Sequence, residues 1–290
     1  MKIRDLYKYL LVFLVIGLCS CQNSYQKLLK SSDYELKLEK AKFYYNRGDY
    51  VKAIPLFEEL IGIFKGTRDV EDLYYFYPYC YFGQGDYQFS AYYFKNFLDY
   101  YPKSSRAETA RFMTAYCYYK LSPDNDLAQD NTMTAIEAFQ LFANNYPKSE
   151  RVAEVNGLID ELRGKLEVKA LNAAELYYNM REYRAAVKAY TNLLYDFPDT
   201  NEQEKVNFMI LKSYYLFADN SIYEKQEERY NQVVESYLDF IKAYPESKYL
   251  REAESFYNES SAAIEKIKTE PKKKQKFIGL PIIKQEDDVN

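Results

Sequence analysis

One short phrase recurs along this chain and limits its fold more than any other feature: an aromatic residue, proline, any residue, then serine or threonine. It stands as Tyr101-Pro102-Lys103-Ser104, Tyr146-Pro147-Lys148-Ser149, Phe197-Pro198-Asp199-Thr200 and Tyr244-Pro245-Glu246-Ser247. Phe64-Lys65-Gly66-Thr67 is a fifth copy lacking only the proline. The residues upstream repeat as well. Gly48-Asp49-Tyr50 followed by Ala53, Phe57 and Leu60 matches Gly85-Asp86-Tyr87 followed by Ser90, Phe94 and Phe97. The series continues as Ala135, Phe139, Phe142; as Tyr183, Ala186, Tyr190, Leu193; and as Tyr230, Val233, Tyr237, Phe240. Such spacing puts small and large apolar groups on one face of a helix. The proline stops that helix, and the Ser or Thr opens the next.

A second helix precedes each of these. Its small packing residue is Ala41, Ala115 or Ala174, and a tyrosine lies three places on, giving the series Tyr44, Tyr81, Tyr118, Tyr177 and Tyr214. Five helix-turn-helix units over roughly 34–268 resemble the tetratricopeptide repeat, so the expected fold is an all-α solenoid in a three-plus-two arrangement. The expected organisation is a three-repeat half over 34–149 and a half over 150–268 that opens with a long linking helix through 150–167. The residues over 269–290 form a polar tail with no helical pattern. Pro78 stands where a small residue belongs and should kink its helix. Extra residues interrupt the third and fifth units near Ser122–Asn131 and Ala218–Arg229. Ser105 with Glu108, and Thr200 with Gln203, have the spacing of capping boxes.

Composition narrows the chemistry. The 290 residues include 34 Tyr and 18 Phe but no His and no Trp. Without histidine, Ser-His and Cys-His nucleophilic sites and most zinc sites cannot be built. Carboxylate pairs such as Asp160-Glu161 and Glu227-Glu228 lack any accompanying glycine-rich loop or opposed acid. No catalytic residue, metal or cofactor is therefore assigned. The net charge of −4 argues against a nucleic-acid partner. Cys80 and Cys117 take equivalent places in adjacent units, and neighbouring helices about 8–10 Å apart hold them beyond disulfide reach, so both should be buried free thiols.

The first twenty residues read as a removable signal. Lys2, Arg4 and Lys8 precede an apolar run from Tyr9 to Leu18, too short to span a bilayer comfortably. Leu18-Cys19-Ser20-Cys21 then supplies an aliphatic residue three before, and a small residue just before, Cys21. Cys19 would have bulky Leu18 beside it. Cys21 is thus the expected lipidation site and new N-terminus, with a spacer over 21–33. Its covalent lipid is the only non-protein group expected. Gln22 follows instead of Asp, which favours the outer membrane, and the absence of an acidic cluster after it favours the periplasmic face.

Repeats of this kind bind along their inner wall, lined by the first helices. Just after the shared tyrosine lie Tyr45, Phe82, Tyr119, Tyr178 and Tyr215, aromatic in all five units. Seven places earlier stand Tyr75 and Phe112 in the second and third units, with Tyr79 and Tyr116 between. These nine residues are the candidate peptide contacts. An aromatic, acidic-edged groove suits an extended peptide, and a sugar would also stack on such rings.

Taken together, the lipidation motif, brief spacer, five repeats and aromatic-Pro-x-Ser/Thr turns resemble the BamD family of outer-membrane assembly lipoproteins over about Cys21–Lys268. The resemblance implies a non-enzymatic subunit of the β-barrel assembly machine. Its implied partners are the barrel subunit bearing POTRA domains, held mainly by the C-terminal repeats, and unfolded outer-membrane proteins, received by the N-terminal repeats. Tyr75, Tyr79, Phe82, Phe112, Tyr116 and Tyr119 match the substrate groove by repeat position. Two other readings stay open: a general periplasmic scaffold, for instance one coordinating cell-wall enzymes, and a glycan-capturing lipoprotein of the SusD type. That last type is usually much longer and carries Trp platforms, which this chain lacks.

Overall fold

A computed structural model describes residues 24–67 and 70–269, so Cys21, the signal and the tail beyond Thr269 lie outside the described residues. All regular structure described is helical. A short helix α1 (24–29) is followed by α2 (Tyr34–Asn46), α3 (Tyr50–Ile63), α4 (Val70–Gln84), α5 (Tyr87–Tyr100), α6 (Ala107–Leu121) and α7 (Asp130–Asn145). Then come α8 (Val152–Asn179), α9 (Tyr183–Asp196), α10 (Gln203–Asp219), α11 (Tyr223–Ala243) and α12 (Leu250–Thr269). The predicted pairs are α2–α3, α4–α5, α6–α7, the C-terminal part of α8 with α9, and α10–α11. The fold is the tetratricopeptide-repeat α-solenoid that the spacing predicts. No helix among the described residues is long and apolar enough to cross a membrane.

The helices form two compact units that divide between Leu166 and Glu167, inside α8. This corrects the expected boundary at 149/150. Val155 and Leu162 are buried in a core with Phe139 and Phe142, and Leu158 and Ile159 pack against it, so the first half of α8 belongs to the N-terminal unit. Burial at two places seven residues apart identifies its role. Val155 and Leu162 stand the same distances after Ser149 as buried Ala110 and Cys117 stand after Ser104. In the C-terminal unit, Ala253 and Ser260 on α12 repeat the pattern after Ser247, as Val206 and Ser213 do on α10 after Thr200. Each unit therefore ends in one extra first-type helix that buries a single face. Its other face stays polar, which is what a terminal repeat needs.

The recurring Ser or Thr does more than open a helix. Ser104, Ser149, Thr200 and Ser247 each accept a bond from the backbone N–H two residues on, at 3.0–3.1 Å. Each hydroxyl also donates to a glutamate on the preceding first helix, near its start in α4, α6 and α10 and midway along the long α8. Ser104 reaches Glu71, Ser149 reaches Glu108 and Ser247 reaches Glu204, all at 2.6 Å, and Thr200 reaches Glu167. The first repeat has Tyr34 where these glutamates stand, and its Thr67 hydroxyl donates to Phe64 O at 2.8 Å. The expected capping box at Ser105 and Glu108 does not form, because Glu108 is engaged by Ser149 and the N-cap position is Arg106. Nor does Thr200 with Gln203, since Gln203 donates to the Pro198 carbonyl.

Pro78 does not break its helix, since α4 runs on to Gln84 with the proline inside. Its carbonyl accepts from Ser90 Oγ at 3.0 Å, and Ser90 accepts in turn from Cys117 Sγ at 3.3 Å. Cys80 and Cys117 are both buried and free, as expected. The tight turn between paired helices needs a left-handed residue, supplied by Gly48 (φ 73°) and Gly85 (φ 79°). Arg181 takes the same place at φ 63°, where a Cβ costs roughly 1 kcal/mol. Arg181→Gly is accordingly expected to raise unfolding free energy by about 0.5–1 kcal/mol in urea titration, and a loss of stability would refute the assignment of strain.

Candidate functional site

The shared tyrosine and the residue after it leave their helix about 100° apart; Tyr44, Tyr81, Tyr118 and Tyr214 are half-buried, whereas Tyr177 is exposed. On the wall of the N-terminal unit the rings meet across helices. Phe82 on α4 stacks on Tyr116 of α6 at 6.0 Å, and Tyr116 continues to Phe112 at 5.7 Å and Tyr119 at 5.5 Å. Tyr75 and Tyr79, one helical turn apart, have rings 5.3 Å apart and hydroxyls joined at 3.2 Å. Tyr45 of α2 lies 5.2 Å from Phe76 of α4 and also packs on Phe57 and Tyr50. Tyr45, Tyr75, Tyr79, Phe82, Tyr116 and Tyr119 are half-buried. Each presents one side outward. Phe112 does not: it is 4 % exposed beneath Arg151, so its place as a groove contact is corrected to that of a floor.

In the C-terminal unit, Tyr178 packs on Tyr183 at 5.8 Å, and Tyr215 stacks on Phe256 of α12 at 4.5 Å. Their surroundings differ from the aromatic run on α4 and α6, with Lys212 and Glu252 joined at 2.8 Å beside them.

Cations, which sequence reasoning did not place here, edge the aromatic wall. Arg106 lies 4.7 Å over Tyr75, Arg151 4.3 Å over Phe112, and Lys120 5.3 Å over Tyr116. Arg106 also pairs with Asp72 at 2.6 Å. The edge is thus mixed and rich in cations, not acidic. The signal was present in the repeats: Arg106 and Arg151 each stand two residues after the turn serine. In the fifth repeat Tyr249 holds that place and stacks on Phe208 at 4.4 Å. Glu161 and Glu259 are the second omission. Tyr119 donates to both oxygens of Glu161 at 3.0 Å, and Tyr215 donates to Glu259 at the equivalent place on α12. These bonds hold the wall hydroxyls toward the extra helices and leave ring faces for a ligand.

Electrostatics agree with a partly dry wall. Burial, then neighbouring Cys80 and Tyr50, push the Tyr45 phenol up to about 12. Burial and the hydrogen bond shared with Tyr75 raise Tyr79, while the charge of Arg151 pulls it down. Burial, then the bond to Glu161, raise Tyr119. An unfolded phenol ionises near 10. Between there and the raised folded values, the folded state binds more protons, so stability falls as pH climbs above about 10. In an alkaline titration the part of the tyrosinate absorbance that belongs to these raised phenols is expected to appear only as helical circular dichroism collapses. Full ionisation near pH 10 with helicity intact would contradict this. The arrangement offers stacking surfaces, phenol dipoles and a few cations, which suit binding an extended chain with aromatic side chains and an anionic end.

Comparison with known proteins gives one family. The family described as "YfiO: Outer membrane lipoprotein" matches residues 32–229. None of the curated proteins compared matches the sequence. Among solved structures, the TPR2AB domain of yeast Sti1 in its pHSP90 complex is similar, with 12% identity, 79% of this chain and 99% of that chain covered, and a TM-score of 0.38. The P58(IPK) TPR domain gives 15% identity, 86% and 69% coverage, and 0.39. A tetratricopeptide repeat protein from Parabacteroides merdae gives 16%, 83% and 80%, and 0.33.

Proposed function

The chain belongs to the YfiO (BamD) family of outer-membrane lipoproteins, and we propose that it serves as a non-enzymatic subunit of the machine that assembles β-barrel proteins. Acylated Cys21 tethers it to the periplasmic face of the outer membrane. The C-terminal repeats dock the POTRA-bearing barrel subunit, and the wall of α4 and α6 receives unfolded outer-membrane protein segments.

The observation that carries the substrate reading is the unbroken ring path Phe82–Tyr116–Tyr119 with Tyr75 and Tyr79 beside it, edged by Arg106, Lys120 and Arg151. Stacking is worth about 0.5–1.5 kcal/mol for each aromatic pair beyond area burial, so transient capture needs only a few rings. Nothing in this role requires turnover. Binding energy comes from a tethered surface held at high effective concentration near its partners.

Photocrosslinkers placed at Tyr79 and Tyr116 are expected to capture outer-membrane protein precursors in living cells, and one at exposed Tyr195 on α9 is not. Capture of no precursor from either wall position would remove the substrate role. A mild-detergent purification is expected to return a POTRA-bearing barrel. Return of a cell-wall enzyme without the barrel would favour the scaffold reading instead.

A further inference from the structure

The end face of the first repeat adjoins the expected lipid and carries a pattern that the assembly role does not use. Only Gln22 and Asn23 separate Cys21 from Ser24, and the three steps between them span at most about 11 Å. From Ser24 onward the chain is fixed. Leu28 is buried, Tyr25 donates to Lys52 O at 3.0 Å, and the buried ammonium of Lys37 donates to Leu29 O at 2.9 Å while pairing with Glu59 at 2.6 Å. The acyl chains would therefore enter the bilayer at a set place beside α1, not at the end of a long leash.

Two open clefts flank Ser24. One is lined by Tyr25, Phe43, Arg47 and Val51 among others, the other by Lys27, Leu36 and Lys40, and both include Ser24 and Tyr44. Their rims are apolar and cationic together. Phe43 is 43 % exposed and Val51 73 %, and Phe43 lies between Lys40 at 5.6 Å and Arg47 at 5.3 Å. Asp49 is paired with Lys52 and Glu39 with Lys40, whereas Lys27, Lys30 and Arg47 form no ion pair among the described residues. An aromatic ring flanked by long cationic side chains suits the headgroup layer, where the ring sits among glycerols and the cations meet phosphates.

We propose that this end face of α1, α2 and the α2–α3 turn docks on the bilayer surface and binds the phosphates of anionic phospholipid headgroups, seating the first repeat against the membrane. The inference rests on lipidation at Cys21. It follows that the N-terminal unit leaves the membrane in a defined direction rather than swinging on its anchor.

The test uses the full lipidated protein reconstituted in vesicles, with an environment-sensitive fluorophore on Val51→Cys and, separately, on Leu141→Cys of α7. Mass spectrometry first checks acylation of Cys21. With phosphatidylglycerol present, headgroup-spin-labelled lipid is expected to quench the label at 51 and not that at 141. Lys27→Glu with Arg47→Glu should lower quenching at 51 by at least about fivefold while acylation is unchanged. Acylated protein whose label at 51 is as unquenched as that at 141 would overturn the docking and leave the anchor standing. Equal quenching in purely phosphatidylcholine vesicles, whose headgroups are zwitterionic, would overturn the assignment to anionic headgroups. A chain without acyl groups on Cys21 would remove the lipoprotein reading and this inference with it.

Discussion

Replacing Phe139 by alanine is expected to cost the N-terminal unit about 4 kcal/mol of unfolding free energy. Phe139 is fully buried on α7, 6.1 Å from the Phe112 ring, and shares its core with Phe142, Val155 and Leu162. Those neighbours come from three helices whose backbones are set by the turn hydrogen bonds, so they cannot collapse into the space left. The loss therefore includes both the transfer of the ring from water and the cavity that remains. Denaturant titration gives the free energy, and hydrogen exchange should show α6, α7 and the first half of α8 opening together. A loss below about 1 kcal/mol would mean that this core is not packed as described.

Glu59→Ala should come next, at about 3 kcal/mol, though Glu59 itself is partly exposed. The reason lies in Lys37, which is 1 % exposed and relies on the Glu59 carboxylate for its counter-charge. Removing the carboxylate leaves a buried ammonium with one backbone carbonyl, Leu29 O. Adding Lys37→Met to Glu59→Ala should recover most of the loss, because the pair is replaced by an apolar chain of similar length. Limited proteolysis should cut the α1 segment sooner in Glu59→Ala than in the native protein. If the double variant is no more stable than the single one, the buried charge is not the cause.

Most of the fold was legible because its punctuation is local. Glycine turns, prolines and the small-aromatic-apolar spacing act within one helix pair, and a single sequence displays the spacing in five copies, the turn proline in four and the turn glycine in two. Features made between distant residues were less visible. The ring of Phe112 has the right spacing for the wall, but Arg151, from the far side of α7, covers it. Glu108 has the spacing of a capping box, yet a turn serine 41 residues on claims it. Reading the first half of α8 as a linker failed for the same reason: its apolar face was noticed, but its partner, the core around Phe139 and Phe142, lies in the preceding repeat. Both the cationic edge and the Ser–Glu bonds repeat in register. A search for charged residues at fixed offsets, in addition to apolar ones, would have found them.

The two buried thiols have a consequence for how the chain must reach this state. Burial pushes Cys80 up to about 12 and Cys117 up to about 11, so once folded neither forms a thiolate for exchange. Before folding, both are ordinary thiols, which an oxidising compartment would pair. A bond between them would tie α4 to α6 at points the packed repeats keep apart. Burial thus protects the folded protein, and only fast folding protects a copy that has yet to fold. Contacts in a helical repeat array are local, and local contacts form quickly, so under oxidising conditions collapse of the second and third repeats competes with the oxidant for these two thiols.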